Sequence, residues 1–90
     1  MILRKTKVIA RRPFAVLDIG SSKICCMIGE ADGSGGVRLL GHGTHASAGI
    51  RSGEVSDLDA LSSAIGKTVQ IAEREAGLSV QSASVVVPGG

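Results

Sequence analysis

One short run holds the residue types from which chemistry can be built: Leu17, Asp18, Ile19, Gly20, Ser21, Ser22 and Lys23 in direct succession. Asp18 stands at the end of an apolar stretch, where a carboxylate is costly unless it has a partner or a task. Gly20 carries no Cβ and lets a ligand approach the backbone closely. Ser21 and Ser22 follow with backbone N–H groups that can turn towards phosphate oxygens, and Lys23 offers positive charge to the same anion. Together they suit the β- and γ-phosphates of a nucleotide held in a hairpin turn, with Asp18 organising a metal ion through water. The run also fits a plain hairpin turn whose loop Asp18 caps, and spacing alone does not separate the two.

The elements that must position this run favour the first reading. Residues 14–19 form a short apolar run that reads as a buried strand, and Gly20, Ser21 and Ser22 supply turn chemistry. Residues 23–30 read as a second strand, residues 31–36 as a loop, and residues 37–45 as a third strand loosened by Gly41 and Gly43. Short Gly/Ser turns make the three an antiparallel meander. Residues 46–55 read as a connecting loop.

A helix then starts on Ser56 as its cap, with Asp57 and Asp59 favouring the positive end of its dipole. Leu58, Leu61, Ile65, Val69, Ala72 and Ala76 step by three or four and make one apolar face, and Gly77 is placed to end it. Residues 83–87 are a fourth strand. The order β-β-β-α-β makes the helix a right-handed crossover that returns the fourth strand parallel to the first. The fold class is α/β: a mixed sheet with one covered face and nothing to cover the other.

Bulk composition narrows the function. Ninety residues permit one small domain or part of a larger one. Phe14 is the sole aromatic, so the core rests on Ile, Leu, Val and Ala. A chain this short buries only about 60–65% of its unfolded surface, and so thin a core points to part of a larger domain. Arg4, Lys5, Lys7, Arg11 and Arg12 give residues 1–13 five bases and no acid, while the remainder holds the other five bases and all eight acids. That arm reads as a solvated, disordered terminus. Without Tyr or Trp to stack bases, nucleic acid is not the partner.

A twin-arginine export signal at Arg11-Arg12 is ruled out because Asp18 and Lys23 break the apolar segment it needs. No stretch reaches the roughly 18–20 apolar residues of a membrane span. Cys25 and Cys26 are adjacent, poorly placed for a disulfide, and read as small buried groups; the chain reads as cytoplasmic and reduced. His42 and His45 sit three apart on a strand and point to opposite faces, so they cannot share a metal. Gly66 and Lys67 lack the preceding glycines of a P-loop.

A strand ending Asp18-Ile19-Gly20-Ser21-Ser22-Lys23 and turning directly into an apolar strand resembles the first phosphate loop of the actin, Hsp70 and sugar-kinase superfamily. The Lys directly after the two hydroxyls, Gly41-x-Gly43, and the segment from Gly49-Ile50 through Gly53-Glu54-Val55 to Asp57 are similar to the bacterial cell-division family FtsA in particular. The likeness runs over about residues 14–90. It implies the RNase H-like, actin-like subdomain 1A, with Asp18, Gly20, Ser21, Ser22 and Lys23 contacting the phosphates of ATP and Asp18 holding Mg through water. It also implies FtsZ and other division proteins as partners, self-association, and a C-terminal amphipathic helix on the inner membrane, all through parts this sequence does not contain. The second phosphate loop and adenosine pocket are likewise missing, so the chain holds half a site, and whether ATP is hydrolysed stays open. The rival reading is the start of a sugar or acetate kinase sharing this loop. A third is a small stand-alone interaction module without nucleotide, against which the thin core argues.

Overall fold

The computed structural model describes residues 13–81 and the backbone of residues 83–86. The first twelve residues of the basic arm, Val87 and the Pro88-Gly89-Gly90 end lie outside the described residues.

The elements run β1 (Phe14–Ile19), β2 (Lys23–Ala31), β3 (Val37–Ala46), β4 (Ile50–Arg51), β5 (Glu54–Val55), α1 (Leu58–Ala76) and β6 (Ala83–Val86). Four strands make one sheet in the order β3-β2-β1-β6. β1 is antiparallel to β2, β2 is antiparallel to β3, and β6 lies parallel to β1. The mixed sheet with a helical crossover is thus the expected α/β arrangement.

Strand alternation decides what is buried. Ala15, Leu17 and Ile19 stand opposite Ile28, Cys26 and Ile24, and these six build the floor of the core. α1 closes it with Leu61, Ala64 and Ala72. Thr68 joins them fully buried, its hydroxyl satisfied by the Ala64 carbonyl at 2.7 Å. The other face stays open: Met27, Val37 and Leu39 are exposed there.

Gly41 and Gly43 do something other than loosen β3. A Cβ on Gly41 would lie 2.6 Å from the Ala76 nitrogen, and one on Gly43 would lie 2.8 Å from the Thr68 carbonyl oxygen and the Ala72 nitrogen. The helix backbone therefore rests directly on the strand backbone, and only glycine leaves room for it. This seat also turns α1, so the buried stripe is Leu61, Ala64, Thr68 and Ala72, while Leu58 is 67% exposed. Ile65, Val69 and Ala76 pack at its margin, as expected.

The helix start differs from expectation by one residue. Asp57, not Ser56, is the cap: its Oδ1 accepts from the Ala60 N–H at 3.1 Å. The reason lies upstream, where the Gly49 carbonyl takes the N–H groups of both Ser56 and Asp57 and holds Ser56 in the entering turn. At the other end Gly77 adopts the left-handed conformation with φ 73°, and the N–H groups of Gly77 and Leu78 return to the Glu73 carbonyl. The segment expected as a plain loop holds the β4–β5 hairpin, whose turn residues Ser52 and Gly53 both have positive φ, as a two-residue type I′ turn requires.

Candidate functional site

The tip joining β1 to β2 is closed by one bond, from the Gly20 N–H to the Lys23 carbonyl at 3.0 Å. A Cβ on Gly20 would sit 3.0 Å from that same oxygen, which explains glycine at the point where the chain folds back. Ser21 and Ser22 form the exposed apex. Among the described residues their backbone N–H groups donate to no protein acceptor. The Ser22 carbonyl, by contrast, accepts from the Ser47 N–H at 2.9 Å, and this ties the apex to the loop after β3.

Register brings the two charged groups to the same side. Asp18 pairs with Cys25, and Lys23 lies two residues before Cys25 on the same strand, so both fall on the face opposite α1. Both are exposed, and neither joins an ion pair among the described residues, where the pairs are Arg38–Glu30 and His42–Glu75. Cys25 lies between Asp18 and Thr44 in the register, and its sulfur accepts from the Thr44 hydroxyl at 3.8 Å. The neighbouring thiol of Cys26 is fully buried, and burial, reinforced by the negative charge of Glu73, pushes its pKa up. It is an inert core group, as expected.

All five residues singled out in the sequence therefore meet at one hairpin tip: two open N–H groups, a flexible cation, a carboxylate and a glycine that keeps the path clear. Such a tip can accept a polyphosphate. Among the described residues no group of three His, Cys, Asp or Glu side chains could hold a metal ion on protein ligands alone. One carboxylate with room for water fits a magnesium ion, which keeps most of its waters and leans on phosphate oxygens. Sequence reasoning passed over Ser47, because nothing in the spacing of a serine within a loop signals its bond to the hairpin 25 positions earlier.

No family model matches the chain. Cell division protein FtsA of Agrobacterium fabrum (strain C58) is 44% identical over 86 residues, covering 84% of this chain and 19% of that protein. FtsA of Pseudomonas aeruginosa is 34% identical over 73 residues, covering 81% and 18%. FtsA of Streptococcus pneumoniae is 34% identical over 76 residues, covering 84% and 16%. The chain thus spans about a fifth of the length of the relatives it matches. Among solved structures, diol dehydratase-reactivating factor in its nucleotide-free form superposes with a TM-score of 0.63 at 22% identity, covering 84% of this chain and 12% of that one, a likeness of fold. Nothing in these matches favours a sugar or acetate kinase. With strand order, crossover helix and sequence in agreement, these 90 residues belong to the FtsA family of actin-like cell-division proteins, as its N-terminal part.

Proposed function

We propose that the β1–β2 hairpin is the first phosphate loop of an ATP site, with Asp18, Gly20, Ser21, Ser22 and Lys23 as its contacts. The observation that supports this most is the uncommitted state of the tip. Asp18 and Lys23 share one face without an ion pair among the described residues, beside two apex N–H groups that donate to no protein acceptor there. The Ser21 and Ser22 N–H groups bind phosphate oxygens, Lys23 offsets their charge, and Asp18 orients water on the metal. Bound Mg neutralises phosphate charge and bridges neighbouring phosphate oxygens. Half a site gives weak binding, and hydrolysis is not assigned to these residues.

In the longer frame of the relatives, this loop serves a protein that links FtsZ filaments to the cytoplasmic face of the inner membrane at the septum. Contacts with FtsZ, with other division proteins and with further copies belong to regions beyond the stretch matched here. So does the membrane-binding helix; among the described residues no helix is long and apolar enough to cross a membrane.

Backbone amide NMR of the 90-residue chain, titrated with Mg-ATP, tests the loop. Saturable shifts of the Ser21, Ser22 and Lys23 amides are expected with Kd in the millimolar range, roughly 4 kcal/mol of binding. Calorimetry at micromolar protein should register no tight binding. Amides that stay still at saturating Mg-ATP, or a titration unchanged by Asp18→Ala and Lys23→Glu, overturn the assignment.

A further inference from the structure

Ser47 holds the one buried side-chain oxygen or nitrogen that lacks a hydrogen-bond partner among the described residues. Native proteins rarely leave a buried hydroxyl unpaired, and each such case calls for a cause: stored strain, a bound water, or a ligand that completes it. Its position suggests which. Lys23 pairs with Ala46, and the bond from the Ser47 N–H to the Ser22 carbonyl at 2.9 Å extends that ladder by one residue, directly beside the hairpin apex. Two residues on, the Gly49 carbonyl binds the N–H groups of Ser56 and Asp57. The segment is therefore pinned to the hairpin on one side and to the start of α1 on the other. A Cβ on Gly49 would collide with the Asp57 carbonyl oxygen, so this strap cannot be displaced cheaply.

We infer that Ser47 is a further member of the phosphate site. Its hydroxyl completes its hydrogen bonding on a phosphate oxygen, or on a water held by that phosphate. This rests on the phosphate-loop reading of the hairpin. Ser47 is itself partly exposed, and a step between staggered χ1 wells carries the hydroxyl out of its buried position. The backbone bond to Ser22 keeps it next to the apex throughout. The group is thus poised: unpaired without ligand, paired with it.

The prediction is a pair of opposite effects from one substitution. Removing an unpaired buried hydroxyl is close to neutral or stabilising, whereas removing one that serves a ligand loses affinity. In the 90-residue chain, Ser47→Ala is expected to resist urea at least as well as wild type without nucleotide. It should also raise the half-saturation for Mg-ATP about fivefold to tenfold, read on the Ser21 and Ser22 amides. Ser47→Cys keeps the bulk and replaces the hydroxyl by a weak donor, and it should show the same loss of affinity. Lys67→Glu, on the exposed side of α1, is the control. Ser47 variants that titrate like wild type, while Asp18→Ala and Lys23→Glu lose binding, overturn this inference and leave the phosphate loop standing. A less stable Ser47→Ala with unchanged half-saturation also overturns it, since the hydroxyl then serves the fold. Hairpin amides that ignore Mg-ATP in wild type remove both readings.

Discussion

Two hairpins of the same sheet are built from aspartate, glycine and serine, and they end in opposite states. Between β2 and β3, Asp32 spends its carboxylate on its own loop: Oδ1 accepts from the Ser34 N–H at 2.8 Å, the Ser34 hydroxyl at 2.7 Å and the Gly36 N–H at 3.0 Å. Between β1 and β2, Asp18 takes no part in closing its turn, and the apex N–H groups stay open. The difference is one of position. Asp32 opens its loop, where a short side chain reaches the backbone two and four residues on. Asp18 sits inside a strand, whose geometry stands the side chain off the sheet face and away from the turn. A carboxylate within a Gly/Ser loop stabilises the loop; one held two residues short of it stays available to a ligand.

The largest test removes the support both hairpins share. Gly43→Val forces a side chain into the backbone of α1, where overpacking costs about 1–3 kcal/mol or more. In a core this thin we expect loss of the cooperative fold, seen as collapse of amide NMR dispersion. A well-dispersed spectrum would show that α1 can lift off β3 at little cost.

Charge reversal at the open hairpin comes next. Lys23→Glu places repulsion beside the phosphates and should weaken Mg-ATP binding at least tenfold, about 1.4 kcal/mol, with the melting curve unchanged. The exchange of roles between the aspartates sharpens the contrast further. Asp18→Ala should lower affinity severalfold and leave stability alone. Asp32→Ala should lower the melting temperature and leave Mg-ATP titrations alone. If Asp32→Ala weakened binding, or Asp18→Ala melted early, the division between closed and open hairpin would fail.

The smallest effect is a pH dependence that belongs to the closed hairpin alone. Hydrogen bonds from the Ser34 backbone and hydroxyl, then from Gly36, with a lesser contribution from Arg38, hold the Asp32 pKa below its ordinary value of 3.8. A depressed carboxylate stabilises the fold fully above its unfolded pKa, and that contribution is lost as pH falls through the folded value. Urea midpoints should therefore drop more steeply below pH 3.8 in wild type than in Asp32→Asn. Equal slopes would mean the Asp32 bonds do not persist in solution.

Much of this was legible in the residues. β1 has the limits expected from its apolar run, β2 and β3 each run one residue further than expected, and Gly77 ends α1 as anticipated. The site residues were legible for the same reason: strand, glycine turn and hydroxyls are contiguous, so a reading of neighbours recovers them. The β4–β5 hairpin was missed although Ser52 and Gly53 between Ile50 and Val55 carry its turn chemistry, because strands of two residues show no periodicity. The shift of the helix cap to Asp57 followed from a carbonyl eight residues earlier, which local capping rules do not see.

Chain order and local chemistry thus determined by themselves the strand succession, the stop of the helix and the make-up of the hairpin that points to phosphate. Backbone sterics and neighbouring side chains act over a few residues, and their effects are written in adjacent positions. Only the tertiary structure decided that Gly41 and Gly43 are a seat for α1 rather than weak points of β3. It alone brought Asp18 and Lys23 to one face without pairing them, and it alone laid Ser47 beside Ser22. Each of these depends on contact or register between segments distant along the chain, where the fit of one backbone against another sets the outcome and residue type does not.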